Sequence, residues 1–239
     1  MSTSDLLGSG PAPTERPPRT TAGLLRTAGL GALLGFAAWL LVPVRVFLMP
    51  TEGDFDKNPE LFYKTAEQIA DERWSGLYYL VAFGGIGIGL LVLVTALGRA
   101  AGAGGVVSDL GLRPGQLGGF AFVLAGSVYV GFYAFGDSSG EITDDESVQR
   151  LVHVGVEVAS TGLLVAGAVG FAALLLWLGT AGRTAGIAGV PALIAAVVFV
   201  LALIVPLALA GQPMAAISLQ PLFCLVLGIA FLVKARKAA

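Results

Sequence analysis

Six long apolar stretches dominate the pattern of hydrophobic and polar positions along the chain. Each supplies the ~20 residues with which a helix crosses ~30 Å of hydrocarbon. A backbone in lipid must satisfy its own hydrogen bonds, and the alternation typical of membrane strands is absent, so each stretch is predicted as a transmembrane helix. The expected fold is therefore all-α, a membrane domain over residues 23–239. Its predicted spans cover about 24–48, 76–98, 117–136, 151–178, 188–210 and 217–234.

Two polar segments lie outside these stretches. Residues 1–22 combine prolines and arginines with few apolar side chains, which predicts a flexible cytoplasmic tail. The segment NPELFYKTAEQIADERW, residues 58–74, opens with Asn58 as a helix N-cap and Pro59 at the first helical position. Its apolar residues recur at helical spacing, which predicts a short amphipathic helix on the outer surface. A solvated turn leading into the second span is the alternative.

Composition agrees with a membrane protein. Of the 239 residues, 56% are hydrophobic and 13% are charged, with a mean hydropathy of +0.83. Soluble domains carry about 25% charged residues. No basic surface interleaved with aromatic residues is present, so nucleic acid is not an expected partner. Arginines outnumber lysines, a usage that fits a GC-rich prokaryotic gene, and the lone Cys224 forms neither an internal disulfide nor a zinc site.

The charges predict the orientation of the chain. With the N-terminus in the cytoplasm, the inner segments hold nine Lys and Arg residues against three acids, and the outer segments hold four against twelve. Positive residues favour the cytoplasm. Both termini are therefore predicted in the cytoplasm, with the chain in the cell inner (plasma) membrane. In the second outer loop, Thr143 and Glu146 have the spacing of a capping box that would start the fourth helix.

Two ionisable residues stand four positions apart in the fourth stretch. They are His153, the only histidine of the chain, and Glu157. Residues with this spacing share a helix face. Glu157 is predicted about 9 Å below Leu151, in the outer leaflet. Because a carboxylate deep in a span costs roughly 2.5–3.5 kcal/mol on insertion scales, it should face protein or water and have a partner.

Candidate partners occur at a similar predicted depth in other stretches. Arg45 lies about 7–8 Å from the outer end of the first stretch, and Tyr129 about 10 Å from that of the third. Gln220 lies near the outer start of the sixth. The sequence therefore predicts a polar layer in the outer leaflet, in which a ligand or an ion pair is held. Its members are Arg45, Tyr129, His153, Glu157 and Gln220.

Several interpretations of this layer stay open. It can line a pocket for a small or lipid-like molecule, or relay protons through His153 and Glu157. One histidine and one carboxylate fall short of the three or four ligands of a zinc site, so no metal or cofactor is assigned. The structural alternative is an Arg45–Glu157 bridge between the first and fourth helices, in a structural or assembly subunit of a membrane complex. The expected partners are the bilayer, a small-molecule or lipid ligand and, for the subunit, a membrane protein.

The remaining motifs do not indicate an enzyme. The chain lacks a serine nucleophile motif, HExxH and paired catalytic carboxylates. The glycine-rich FGGIGIGLL, residues 83–91, fails the nucleotide-loop pattern because Leu90 occupies the place of the last glycine. Gly85 and Gly89 instead have the spacing with which small residues let helices approach closely. The chain is predicted to be non-enzymatic.

The layout of the chain has a family resemblance. TAEQIADERWSGLYYLVAF, residues 65–83, followed by a long Gly/Leu span within six helices, resembles uncharacterised families of small six-helix bacterial integral membrane proteins. The likeness covers most of the chain. It implies a prokaryotic inner membrane protein and carries over no functional residue.

Overall fold

The computed structural model describes residues 18–48, 73–102, 106–142, 146–210 and 214–239. These residues are almost entirely α-helical, and no strand occurs among them. The described residues form six long helices and one short helix, α5, which lies between the fourth and fifth long ones. They are α1 (Pro18–Leu48), α2 (Arg73–Ala101), α3 (Val106–Ile142), α4 (Glu146–Gly179), α5 (Ala181–Thr184), α6 (Val190–Ala210) and α7 (Met214–Ala238).

The helices have the length and composition of membrane spans. Five of them, α1, α2, α3, α4 and α7, are long and apolar enough to cross a membrane, and α6 carries a shorter apolar stretch, Val190–Pro206. Large apolar side chains are also exposed on the outside of the bundle, among them Leu117, Ile194 and Val226. Helices that are apolar on all sides are typical of a membrane environment. The predicted all-α fold class is thus confirmed, and its long apolar helices are compatible with a multi-pass membrane protein.

The helix boundaries differ from the apolar stretches. α1 begins at Pro18, inside the segment predicted as a tail, because proline is well accommodated in a first helical turn. α3 begins at Val106 and continues through Pro114, well before the predicted residue 117. An apolar stretch marks the part of a helix that suits lipid, and the helix itself extends beyond it. Residues 58–72 of the predicted surface helix lie outside the described residues, and residues 73 and 74 belong to α2. Thr143 of the predicted capping box also lies outside the described residues.

The long helices pack antiparallel in a closed ring, in the order α1, α2, α3, α4, α6, α7. Glycines set the closest approaches between α1, α2, α3 and α4. A Cβ atom added at Gly89 of α2 would lie 2.6 Å from the carbonyl oxygen of Gly31 of α1, and one at Gly118 of α3 would lie 2.9 Å from that of Gly167 of α4. The predicted packing role of Gly85 and Gly89 is confirmed.

The two ends of the described chain lie at the same end of the bundle, here named the terminal end. A Cβ atom added at Gly29 of α1 would lie 2.9 Å from Cγ of Leu232 of α7. At this end Lys234 of α7 donates hydrogen bonds to the carbonyl oxygens of Gly186 and Ile187, the second at 3.0 Å. α6 leaves this loop, and only three residues separate its end from the start of α7, so α6 runs alongside α7 to the opposite end.

Candidate functional site

An aromatic cluster joins α2 and α3 near the opposite end of the bundle. The ring of Tyr79 stacks on that of Tyr129, with centroids 4.4 Å apart and planes at 27°. Phe83 stacks against both rings, at 5.7 Å from Tyr79 and 5.9 Å from Tyr129. Tyr78 meets Tyr79 edge-on at 6.3 Å, and Phe132 packs against Tyr79, Tyr129 and Val156 of α4. Offset and edge-on arrangements are favourable for aromatic rings and hold these side chains in place.

The helix register places Arg45 at the level of this cluster. A Cβ atom added at Gly85 of α2 would lie 2.6 Å from Cβ of Ala38 of α1. Tyr78 and Arg45 each lie seven residues from these positions, two turns further toward the opposite end. Their backbones are therefore at the same height on neighbouring helices. The side chain of Arg45 lies outside the described residues.

His153 and Glu157 lie on the part of α4 that borders the cluster. Val156, which packs against Phe132, immediately precedes Glu157, and Ser160 follows one turn later as a fully buried residue. The helix register thus places Arg45 and Tyr129 at a similar height on α1 and α3, with Glu157 about one turn beyond them on α4 and His153 about two turns beyond. The side chains of His153 and Glu157 lie outside the described residues, so their protonation and partners stay predictions.

The order of the helices bears on the suggested bridge between Arg45 and Glu157. The main neighbours of α1 are α2 and α7, and those of α4 are α3 and α6. Two helices therefore stand between α1 and α4 on either side of the ring. A bridge would have to cross the ring rather than join adjacent helices, and it stays a prediction.

Gln220 lies below the layer, opposite Trp39 of α1. A Cβ atom added at Gly35 of α1 would lie 3.8 Å from Sγ of Cys224 of α7. Trp39 and Gln220 each follow this contact by four residues, or one turn, toward the opposite end. Since Arg45 is six residues beyond Trp39, Gln220 is about 9 Å closer to the terminal end than Arg45. Gln220 is only 1% exposed.

Several buried polar atoms have no hydrogen-bond partner in the described part of the chain. They are Nε1 of Trp39, the hydroxyl of Tyr78, Oγ of Ser160, Nε1 of Trp177 and both amide atoms of Gln220. Elsewhere in this protein, hydroxyls bond back along their own helix. Ser127 donates to the carbonyl oxygen of Val123 at 3.0 Å, and Thr180 to that of Leu176 at 2.8 Å. The buried Ser160 stands out because it lacks such a bond.

Sequence reasoning did not identify Ser160 or Trp39 as polar groups of interest. Ser160 could have been found, because it lies three residues after Glu157 on the same helix face. Trp39 could not, since its height relative to Gln220 depends on how α1 and α7 pack. Among the described residues, no group of three or more His, Cys, Asp or Glu side chains comes together.

Comparisons with protein-family models, curated proteins and solved structures found no match for this chain. The resemblance to six-helix bacterial families stays a prediction.

Proposed function

We propose that this protein crosses the cell inner membrane six times, with both termini in the cytoplasm, and binds or passes a small or lipid-like molecule. The binding site is the layer formed by Arg45, Tyr129 and Glu157 with the adjoining aromatic cluster. The protein acts without catalysing a reaction.

The buried hydroxyls beside the aromatic cluster carry this proposal. The hydroxyl of Tyr78 and Oγ of Ser160 are buried without a hydrogen-bond partner among the described residues. A buried polar group left in this state costs about 1–3 kcal/mol. Both groups lie close to the layer, Tyr78 opposite Arg45 and Ser160 one turn from Glu157. A bound molecule with hydroxyl, amine or carbonyl groups satisfies them.

The composition of the layer favours an amphiphilic molecule. Stacked tyrosine and phenylalanine rings offer an apolar wall, whereas Arg45 and Glu157 supply opposite charges for a polar or zwitterionic head. Glu157 lies 22 residues from Gly179 along α4, or about 33 Å, which is close to the thickness of the hydrocarbon core. With Gly179 at the cytoplasmic boundary, the layer lies at the outer boundary, where lipid head groups meet the acyl chains.

The distribution of cations supports the proposed orientation. Cationic residues gather at the terminal end, on α1, α2, α3, α5 and α7. These are Arg26, Arg99, Arg113, Arg183, Lys234, Arg236 and Lys237. Because Lys and Arg are retained on the cytoplasmic side, the terminal end is the cytoplasmic end. The full traverse of α6 beside α7 supports six crossings rather than five.

The proposal is tested by purifying the protein in mild detergent and recording native mass spectra. We expect the wild-type protein to carry a bound small molecule or lipid, and Glu157→Gln to lose it while remaining folded. Asp109→Asn is the matched control, because it makes the same chemical change at the terminal end. Equal retention by Glu157→Gln would contradict the proposal, and retention of a partner protein alone would favour the structural-subunit alternative.

A further inference from the structure

Gln220 and Trp39 present an unusual set of buried hydrogen-bonding groups. Gln220 is only 1% exposed, and neither its amide nitrogen nor its amide oxygen has a partner in the described part of the chain. Nε1 of Trp39, on the neighbouring helix, is in the same state. Both residues stand one turn beyond the contact between Gly35 and Cys224, so they lie at the same height at the seam of α1 and α7.

These two side chains cannot satisfy each other completely. The Trp39 indole has one N–H donor, whereas the Gln220 amide has two N–H donors and one carbonyl acceptor. A bond from the indole to the amide oxygen still leaves both amide N–H groups without an acceptor. The set therefore has more donors than acceptors, and its complement is a group with oxygen acceptors and no charge, such as an ester.

Helix α6, which neighbours α7, packs differently from the other long helices. α6 contains no glycine, and at mid-length it is spaced from its neighbours by Phe199, whose ring meets Phe171 edge-on at 5.2 Å and Phe223 at 5.7 Å. The close approach of α6 to α4 lies at the terminal end, where Gly179 meets Leu193. Toward the opposite end Pro206 interrupts its hydrogen bonds, as Pro221 does in α7.

The direction of Gln220 on α7 follows from two residues beside it that contact the neighbouring helices. On α7 it lies between Phe223, which meets α6, and Cys224, which meets α1. At 100° per residue, Gln220 is about 60° from the first and about 40° from the second. It is therefore directed between α1 and α6.

We propose that the seam between α6 and α7 is the lateral entrance by which a neutral, ester-bearing amphiphile reaches the protein from the outer leaflet, with Trp39 and Gln220 binding its ester oxygens. In the closed state, Nε1 of Trp39 and both amide atoms of Gln220 are buried without a hydrogen-bond partner among the described residues. Displacement of the outer part of α6, which is pinned at the terminal end, admits the ligand. This inference rests on the proposed function, because it supplies the route to the layer.

The test uses the full-length protein in phosphatidylcholine vesicles with a diacylglycerol that carries a photoreactive diazirine on one acyl chain. After irradiation, mass spectrometry locates the adducts. We expect adducts at the buried positions Phe199 and Leu203, in addition to the exposed, lipid-facing Leu201. Gln220→Leu and Trp39→Phe should each reduce the buried adducts by about 5-fold or more, as expected when one buried hydrogen bond is lost. Trp177→Phe is the matched control, because its buried indole N–H also lacks a described partner but lies near the terminal end.

Adducts confined to exposed positions, or equal buried adducts in the Gln220→Leu and Trp39→Phe variants, would overturn the inference. A photoreactive alkane without ester groups should label wild type and variants alike, and a reduction with this probe too would show that the variants merely close the seam. If Gln220→Leu does not fold, Trp39→Phe decides the matter.

Native mass spectra of the same preparations separate the two proposals. If the co-purified molecule is retained but the buried adducts are the same in wild type and variants, only the proposed entrance is contradicted. If no molecule co-purifies but the buried adducts fall in the variants as expected, only the proposed binding layer is contradicted.

Discussion

Single glycines determine how closely the helices of this bundle approach each other. A Cβ atom added at Gly87 of α2 would collide with the carbonyl oxygen of Gly119 and would lie 3.0 Å from the backbone nitrogen of Val123 on α3. Backbone atoms cannot move aside as a flexible side chain can. The close packing of α2 on α3 therefore requires a residue without a side chain at this position.

We expect Gly87→Ala to lower the free energy of unfolding by about 1–3 kcal/mol, because the helices must separate to admit the methyl group. Gly84→Ala is the matched control, since no described atom outside its own helix segment lies within 4 Å of an added Cβ. There alanine should be neutral or stabilise by up to about 1 kcal/mol through its higher helix propensity. Thermal unfolding in detergent measures both, and equal effects of the two substitutions would refute this account of the packing.

At the residue scale, the sequence predicted which residue types form helix interfaces, but it did not predict which residues contact each other across those interfaces. The spacing of Gly85 and Gly89 indicated a helix interface, and the structure confirms it. The isolation of Gln220 and the matching height of Trp39 could not be predicted, because they depend on the register between α1 and α7. Register is fixed by side-chain packing between helices that are distant in sequence, and a single sequence does not record it.

At the scale of the elements, the turn that leads into α6 is held by α7. Lys234 of α7 donates hydrogen bonds to the carbonyl oxygens of Gly186 and Ile187, in the turn between α5 and α6. Gly186 has a φ of +67°, a conformation that glycine adopts readily, and it turns the chain from α5 into α6. The lysine thus ties this turn to the neighbouring helix.

We expect Lys234→Met to lower the free energy of unfolding by about 1 kcal/mol, because two carbonyl groups lose a charged donor. Lys237→Met removes the same charge from an exposed position on the same helix and should change stability by less than about 0.5 kcal/mol. Thermal unfolding of both variants in one detergent decides the point. A larger loss of unfolding free energy in Lys237→Met than in Lys234→Met would show that stability depends on the positive charge and not on the hydrogen bonds of Lys234.

Helix existence could be predicted from the apolar stretches, whereas helix length could not. α3 runs from Val106 to Ile142, far beyond its apolar stretch of residues 117–136. Hydropathy reports the preference for lipid, but the hydrogen bonds of a helix continue into its polar flanks. Pro114 did not end α3, because a proline removes only one backbone hydrogen bond and packing compensates.

At the scale of the whole molecule, the antiparallel ring predicts the topology of the chain. Because α1 starts where α7 ends, both termini should be on one side of the membrane. Single cysteines at Ser4, Ser138 and Ala239, each in a Cys224→Ser background, test this with a membrane-impermeant maleimide on intact cells. We expect labelling of Ser138→Cys only. Labelling of Ala239→Cys without Ser4→Cys would mean five crossings, with one helix that does not traverse the bilayer.

The order of the helices around the ring could not be predicted from the sequence. Depth along each span placed Arg45 and Glu157 in one layer, but it gave no information about which helices are neighbours. In the structure, α2 and α3 stand between them, with Tyr78, Tyr79 and Tyr129 at the same level. The backbones of Arg45 and Glu157 thus belong to helices that are separated by α2, α3 and their aromatic cluster, and the bridge between the two residues stays a prediction.

A double-mutant cycle with Arg45→Gln and Glu157→Gln tests this most directly. The free energy of unfolding is measured for wild type, both single variants and the double variant, in protein stripped of its co-purified molecule and again after the molecule is added back. Our account predicts additive effects within about 0.5 kcal/mol in the stripped protein, and coupling only when the molecule is bound. Coupling of about 1 kcal/mol or more in the stripped protein would show that arginine and glutamate touch, and would contradict a binding layer.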